Sequence, residues 1–227
     1  MIITEDIVFI HIAKTGGMSC ADFLLRNLSP PIYNCYVPLV KKPKQSMLPG
    51  VTMVTDVGRH IPLRKARPHI QRLTGKSIEE MGKILAIIRH PFTLEYSFFR
   101  HLQKPLIIKR RMKGSPELVK LAQGDFKTFV VKSGYLRPGA PQEDYFLIDG
   151  EAPSNLELIR FEELSIAFPK AVREYAAADG EAEFPKLNSS GGSTELQALL
   201  DEETRELIYK KHRYMFDAGH YNTAENF

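Results

Sequence analysis

Three short apolar runs along the chain predict the strands of a buried sheet. Residues 7–12 are IVFIHI, residues 84–89 are ILAIIR, and residues 156–161 are LELIRF. The runs are rich in β-branched residues and nearly continuous, a pattern typical of strands that are covered on both faces. A weaker run at residues 51–57, VTMVTDV, is a candidate for a further strand.

Segments with helical periodicity alternate with these runs. Residues 18–28 place apolar side chains on one helical face, and residues 92–102 follow Pro91, a residue suited to the first position of a helix. Residues 125–133 and 201–216 are further candidates, and the acidic DEET sequence at the start of the last one favours a helix N-terminus. The alternation of strand and helix predicts an α/β layer fold with a mainly parallel sheet.

Two stretches interrupt this pattern. The proline-rich residues 28–50 form a long excursion, and residues 188–193, NSSGGS, predict a flexible loop. A connection as long as the first is uncommon in a compact domain and is often functional. At 227 residues the chain is long enough to bury a substantial core, so we expect one domain.

Composition narrows the functional classes without selecting one. The chain has 43% hydrophobic and 26% charged residues, as ordinary globular proteins do, and its net charge of +4 requires no nucleic-acid surface but suits an anionic ligand. Basic residues cluster at 41–44, KKPK, and at 109–113, KRRMK. Each cluster fits either a solvated surface or a groove for an anionic substrate.

Targeting signals and cysteine chemistry point to the cytoplasm. Cys20 and Cys35 form no Cys-x-x-Cys pair, so neither a disulfide framework nor a zinc ribbon is predicted. The first residues are acidic before a short apolar run, unlike a signal peptide, and no run approaches the ~20 apolar residues that span a bilayer. We therefore expect a cytoplasmic protein without a membrane span.

The stretch FIHIAKTGGMSC, residues 9–20, predicts an anion site. A strand that ends near Ile12, a tight turn and a helix from Met18 would direct backbone N–H groups and the positive end of the helix dipole at one point. The lysine precedes the glycines, which is not the order of a Walker A loop. The residues available to an anion are Lys14, Thr15, Gly16, Gly17 and Ser19. The alternative is an ordinary strand-to-helix turn that uses glycine.

A second stretch, residues 87–101, repeats this arrangement. It places Arg89 at the carboxyl end of a strand, turns at Pro91, and carries Ser97 on the second turn of the following helix. The planar guanidinium is suited to phosphate, although an arginine–carboxylate pair is the alternative. Open α/β sheets bind ligands at the carboxyl ends of their strands, so the two stretches together indicate a nucleotide phosphorylated at both ends.

In these two stretches the sequence resembles the carbohydrate sulfotransferases. Residues 9–19, FIHIAKTGGMS, are similar to the family's 5′-phosphosulfate loop, usually HxPKTGGTS, and residues 89–97, RHPFTLEYS, to its 3′-phosphate motif. Weaker similarity continues through residues 156–168, 184–190 and 209–221, so the resemblance covers most of the chain in order. The chain is most similar to the heparan 2-O- and chondroitin-type enzymes and their small bacterial relatives.

The resemblance implies a P-loop-NTPase-like three-layer α/β/α fold in a single sulfotransferase domain, residues 1–227, with residues 28–50 and 104–150 on the substrate side. It implies the donor 3′-phosphoadenosine-5′-phosphosulfate (PAPS), with PAP as product, no metal, and a hydroxyl acceptor, which we expect on a saccharide or glycoconjugate. A lipid-linked sugar, a small alcohol and a peptidyl tyrosine are the alternative acceptors. The residues implied for the 5′-phosphosulfate are Lys14, Thr15, Gly16, Gly17, Met18 and Ser19, and those for the 3′-phosphate are Arg89 and Ser97. Two positions depart from the motif: Ala13 replaces a proline, and Met18 replaces a threonine and so removes a hydroxyl.

The expected chemistry needs a base. By analogy with phosphoryl transfer, the acceptor oxygen attacks in line, and Lys14 and the helix N-terminus stabilise the charge on the leaving phosphate. Among seven histidines we select His60, because its surroundings are similar to a His-x-Pro segment of the family. We expect His11 to pack on its strand and His101 to lie near the 3′-phosphate or the surface. A nearby carboxylate is the alternative base.

The acceptor site and two rival functions stay open at this point. The basic residues that could line a groove for an anionic sugar, or simply face solvent, are Arg59, Arg64, Lys65, Arg67 and those at 109–113. The YLRP sequence at 135–138 and Tyr145 could stack on a sugar ring or pack in the core. The rival functions are a P-loop-like nucleotide kinase and a non-catalytic module that binds PAP or a sulfated glycan.

Overall fold

The computed structural model describes residues 1–35, 49–112, 116–136, 138–176, 183–185 and 193–224. The basic cluster at 41–44 and residues 188–192 of the predicted loop lie outside these ranges. The chain divides into two compact units, each made of two segments. The first unit contains Met1–Ile88 and Asp144–Leu187, and the second contains Arg89–Glu143 and Asn188–Phe227.

The first unit contains a six-stranded sheet. Its strands are β1 (Ile2–Ile3), β2 (Ile7–Ile10), β3 (Ile32–Cys35), β4 (Val51–Val54), β5 (Lys83–Ile88) and β6 (Leu156–Arg160). They lie side by side in the order β4-β3-β1-β2-β5-β6. The four strands predicted from apolar runs are therefore β2, β4, β5 and β6, each present within a few residues of its expected bounds.

The sheet is mixed, and the prediction of a mainly parallel sheet was wrong. Strand β1 pairs antiparallel with both β2 and β3, whereas β2–β5, β5–β6 and β3–β4 are parallel pairs. Only Thr4–Asp6 separate β1 from β2, a connection too short for a parallel crossover. The Thr4 N–H donates to the Ile7 carbonyl, and the Thr4 hydroxyl accepts from the Ile7 N–H, which closes this hairpin.

The middle of the sheet is buried on both faces. Residues 84–88 of β5 are all 0–1% exposed, although successive side chains point to opposite faces. On one face, Phe9 and Ile87 belong to an apolar cluster that also contains Leu24 and Phe168. This burial explains why β2 and β5 are nearly continuous apolar runs.

Three α-helices belong to the described part of the first unit: α1 (Gly17–Asn27), α2 (Leu63–Thr74) and α7 (Leu164–Val172). Helix α1 agrees with the predicted helix at 18–28. Helices α2 and α7 were not predicted, because each contains a proline, Pro68 or Pro169, at a position where sequence patterns indicate a helix end.

The described part of the second unit is helical. Its helices are α3 (Pro91–Leu102), α4 (Pro105–Arg111), α5 (Glu117–Ala122), α6 (Phe126–Ser133), α8 (Ser193–Leu199), α9 (Glu202–Lys211) and α10 (Arg213–Asp217). Phe92 and Phe99 of α3 pack with Phe129 of α6 and Ile208 of α9 in a second apolar core. Helices α3 and α6 agree with predicted helices, and the N-cap residue of α6, Asp125, accepts a hydrogen bond from the Thr128 N–H.

The helix predicted over 201–216 is broken in two at His212. This residue has a non-helical backbone, with φ −114° and ψ 33°, and ends α9 before α10 begins. Its buried ring Nε2 is 2.7 Å from the Glu95 Oε1 on α3. Lys211 Nζ is 2.8 Å from the same oxygen, so the break in the helix coincides with a buried charged cluster of Glu95, Lys211 and His212.

Candidate active site

The chain between β2 and α1 forms a tight loop with an unusual backbone. Lys14 has φ +69° and Gly16 has φ +78°, so both are in the left-handed region. That conformation costs a residue with a side chain roughly 1–2 kcal/mol, and such strain concentrates at functional sites. Lys14 is therefore held by the loop in a conformation that its own preferences oppose.

Neither glycine of the loop has room for a side chain. A Cβ on Gly16 would lie 2.7 Å from Leu164 Cδ2, and one on Gly17 would lie 2.2 Å from the His11 ring. The loop thus packs directly on α7 and on the end of its own strand. Both glycines are required by space, and Gly16 is also required by its backbone conformation.

The N-terminus of α1 lies at the end of this loop, and the helix supplies no negative charge there to balance the positive end of its dipole. The N-cap residue is Gly16, which has no side chain to accept a hydrogen bond, and the first turn contains no acidic residue. The positive end of the helix dipole is therefore not neutralised by the helix itself, which favours an external anion. Ser19 is half-buried in this turn, and the Met18 side chain is 49% exposed.

Thr15 is turned away from solvent. Its side chain is fully buried, and its hydroxyl donates a 3.0 Å hydrogen bond to the Ile12 carbonyl. In this conformation Thr15 can offer an anion its backbone N–H but not its hydroxyl proton. Together with Met18, this leaves the loop with fewer hydroxyl donors than its sequence motif implies.

Two consecutive residues of another segment contact the two ends of the loop. Arg59 Nη1 donates to Met18 Sδ at 2.8 Å, in the first turn of α1. His60 Nδ1 lies 2.8 Å from the carbonyl oxygen of His11, where β2 gives way to the loop. The His60 and His11 rings also pack edge to face, with centroids 4.7 Å apart. The histidine selected from the sequence therefore lies against the loop.

The hydrogen bond to His11 fixes the tautomer of His60. A carbonyl oxygen only accepts, so Nδ1 must carry the proton, and the neutral ring then has its lone pair on Nε2. Burial first, and then the nearby N-terminal amine, His60 and Arg59, hold the pKa of His11 well below its usual range. His11 is therefore neutral at neutral pH, and in a neutral His60 ring the lone pair is on Nε2.

The second motif, which contains Arg89 and Ser97, lies in the second unit. The Arg89 N–H donates to Gln142 Oε1, and Gln142 Nε2 donates to the Arg89 carbonyl, both at 2.8 Å. Arg89 Nε donates to Thr93 Oγ1 at 3.0 Å, which orients the guanidinium. Ser97 is 5% exposed on the second turn of α3. Gln142 is buried and supports the motif from 53 residues away, so no local pattern could reveal it.

The remaining candidate site residues differ in their exposure to solvent. Tyr145 is fully buried and packs in the core, whereas Tyr135 is 87% exposed. Helix α4, with the basic residues 109–111, buries none of its side chains, and His101 is half-buried in the last turn of α3. The remaining basic candidates, which are exposed on α2, are Arg64, Lys65 and Arg67. Arg137 and Lys113 lie outside the described residues.

Comparisons with protein-family models, with curated proteins and with solved structures find no match. In the described residues no helix is long and apolar enough to cross a membrane. Within the same ranges, no three His, Cys, Asp or Glu side chains are grouped as a metal site would require.

Proposed function

We propose that this chain is a PAPS-dependent sulfotransferase that transfers a sulfuryl group to a hydroxyl of a saccharide or glycoconjugate. We propose further that the chain has a P-loop-NTPase-like three-layer α/β/α fold. The observation that carries it is the loop before α1: Lys14 and two space-limited glycines lie at a helix N-terminus whose first turn contains no acidic residue, and His60 is hydrogen-bonded to the same loop.

Each motif is proposed to hold one end of the donor. The loop would bind the 5′-phosphosulfate through the N–H groups of the first turn of α1, the Lys14 ammonium and the Ser19 hydroxyl. Arg89 and Ser97 would bind the 3′-phosphate. Thr93 and Gln142 support this assignment, because they fix both the backbone and the side chain of Arg89.

The proposed transfer is a single in-line displacement. The acceptor oxygen forms a bond to sulfur while the bond from sulfur to the bridging oxygen breaks, and that electron pair stays on the 5′-phosphate of PAP. The hydroxyl proton passes to His60 Nε2, and Lys14 and the helix dipole stabilise the charge on the leaving phosphate. No metal takes part in this scheme.

A non-catalytic module that binds PAP or a sulfated glycan is the second candidate. The inward hydroxyl of Thr15 and the presence of Met18 favour it, since both reduce the donors available to a transition state. A nucleotide kinase is a third, weaker alternative, and it would require Mg-ATP.

Binding and turnover together test the proposal. We expect PAP to raise the melting temperature without magnesium, and labelled PAPS to transfer sulfate to at least one saccharide of a panel. Lys14→Met should abolish transfer, whereas Arg64→Met, which removes an exposed charge from α2, should not. PAP binding without turnover of any acceptor would support the binding module, and stabilisation by Mg-ATP alone would refute the sulfotransferase.

A further inference from the structure

Helix α4 and the residue before it carry a cluster of positive charges that the protein itself does not neutralise. The four cations of this cluster are Lys104, Lys109, Arg110 and Arg111. The sequence contains no Asp or Glu between Glu95 and Glu117, and among the described residues none of the four cations has an ion-pair partner. On α9, by contrast, the exposed Lys210 pairs with Glu206. The charge of α4 is therefore available to an external anion.

Arg111 shows that holding these charges together has a cost. Its side chain is half-buried in the last turn of α4, and burial lowers the pKa of its guanidinium. A charged group that leaves water without gaining a partner is unfavourable. An anion placed against α4 would offset this cost, so the helix favours the approach of negative charge.

The outer face of α4 is partly apolar as well as basic. The two isoleucines of the helix pack against the second apolar core, but no residue of the helix is fully buried. On the outer side, the Leu106 side chain is 70% exposed, and Met112, directly after the helix, is 48% exposed. Lys109 and Arg110 follow Leu106 by three and four residues, so these three side chains share one face. The outer face thus presents a leucine next to two cations.

This combination fits the surface of an anionic membrane better than it fits a soluble polyanion. Anionic headgroups attract Lys and Arg side chains, while apolar side chains of the same helix enter the boundary between headgroups and acyl chains. A sulfated or carboxylated saccharide would pair with the cations, but it offers no apolar phase for Leu106 and Met112. The charge and the exposed apolar side chains are both used only at a lipid surface.

We propose that the outer face of α4 docks on a membrane that contains anionic lipids. The helix lies along the membrane surface, with Lys109 and Arg110 at the headgroups and Leu106 pointing into the boundary below them. The second unit is held there by one short helix, so the docking is peripheral and reversible. This inference does not depend on the proposed sulfotransferase function.

Sedimentation of the full chain with lipid vesicles tests the proposal. The vesicles are phosphatidylcholine alone or phosphatidylcholine mixed with phosphatidylserine. We expect binding to the mixed vesicles only, and its loss at high salt, because salt screens the attraction between the cations and the lipid surface. Lys109→Gln/Arg110→Gln should weaken binding about 25-fold, about fivefold for each charge. Leu106→Gln should weaken it about tenfold, because an apolar side chain no longer leaves water.

Two matched variants remove the same kinds of group elsewhere in the chain. Arg64→Gln/Lys65→Gln removes two exposed cations from α2, and Ile166→Gln removes an apolar side chain that is 79% exposed on α7. Neither variant should change vesicle binding. A circular dichroism spectrum identical to that of the wild type checks that each variant is folded.

Several outcomes would overturn the proposal. Equal binding to both kinds of vesicle, or binding to neither, would do so, and so would an equal loss of binding in the α2 and α4 charge variants. Heparin, a sulfated polyanion without an apolar phase, is titrated in parallel. Heparin binding that requires Lys109 and Arg110, together with vesicle binding unchanged in Leu106→Gln, would assign α4 to a soluble polyanion instead of a membrane.

Discussion

Removing the charge of Glu95 should destabilise the second unit strongly. Glu95 lies on α3 with 3% of its side chain exposed, and its Oε1 accepts from Lys211 Nζ and from His212 Nε2. Lys211, with 8% of its side chain exposed, also donates to the Val130 carbonyl and the Ser133 hydroxyl. Glu95→Gln keeps the shape of the side chain and leaves the ammonium of Lys211 buried without a counter-charge.

The expected loss follows from the burial of both partners. Breaking a buried ion pair by removing one partner costs about 3–5 kcal/mol, because the remaining charge stays out of water. Lys211 keeps two neutral acceptors in the variant, so we expect a loss at the lower end, about 3 kcal/mol. Replacing both charges, in Glu95→Leu/Lys211→Met, should recover most of that loss.

Urea denaturation followed by circular dichroism measures these differences, since the chain contains no tryptophan for a fluorescence signal. Glu206→Gln is the matched control, because it breaks an exposed pair with Lys210 on α9 and should leave the midpoint unchanged. A loss below about 1 kcal/mol for Glu95→Gln, or a double variant no more stable than the single one, would contradict the reasoning.

The loss of stability in Glu95→Gln should depend on pH, because the Glu95 carboxylate titrates. Burial opposes its ionisation, but Lys211 and His212 outweigh burial and hold the pKa of Glu95 below its usual value of 4.5. A carboxyl group with a lowered folded-state pKa contributes stability above the unfolded pKa and loses it as the pH falls through the folded pKa. The difference between wild type and Glu95→Gln should therefore be constant near neutral pH and shrink below about pH 4.5.

Three further predictions concern the loop and its histidines. Gly17→Ala should weaken PAP binding at least tenfold and cost about 1–3 kcal/mol of stability, because its methyl group would clash with the His11 ring. Gly58→Ala is the control, because Gly58 has open space around it and the change should affect neither quantity. Wild-type PAP affinity for Gly17→Ala would refute the close packing. His60→Gln should lower kcat about a hundredfold, with unchanged PAP affinity and no acid limb in the pH–rate profile, and an acid limb that persists would exclude His60 as the base. The pKa of His11 is lowered from 6.5 in the folded state, so below pH 6.5 the unfolded state binds a proton that the folded state does not bind. Wild type should therefore lose up to about 1.4 kcal/mol per pH unit below pH 6.5 relative to His11→Gln, and parallel stability curves would contradict this.

Strands β2, β4, β5 and β6 and the loop between β2 and α1 were predictable because their signals are local. The apolar runs of β2, β5 and β6 are long enough to be recognised as strands, and Gly16 and Gly17 mark the turn between β2 and α1. Strand β1 has two residues and shows no periodicity, so its antiparallel pairing, which makes the sheet mixed, could not be foreseen. Strand β3 lay inside the proline-rich excursion and was missed because its four residues directly follow Pro30 and Pro31.

Contacts between distant residues were out of reach of sequence patterns. The tautomer of His60 depends on a backbone carbonyl 49 residues earlier in the chain, and Arg89 is held by Gln142. The break in the predicted helix at 201–216 occurs where His212 meets Glu95, 117 residues away. Each of these depends on which segments the fold brings together, whereas local periodicity reports only which face of one element is apolar.

The sheet is built from two distant chain segments, and this affects how it folds during translation. Strand β5 ends at Ile88, but its partner β6 begins at Leu156, after the whole first segment of the second unit. At 5–20 residues per second, a ribosome needs roughly 3–14 s to translate these ~70 residues. During that interval one edge of β5 has no partner, so translation speed through residues 89–155 sets how long the nascent sheet is open to misassembly.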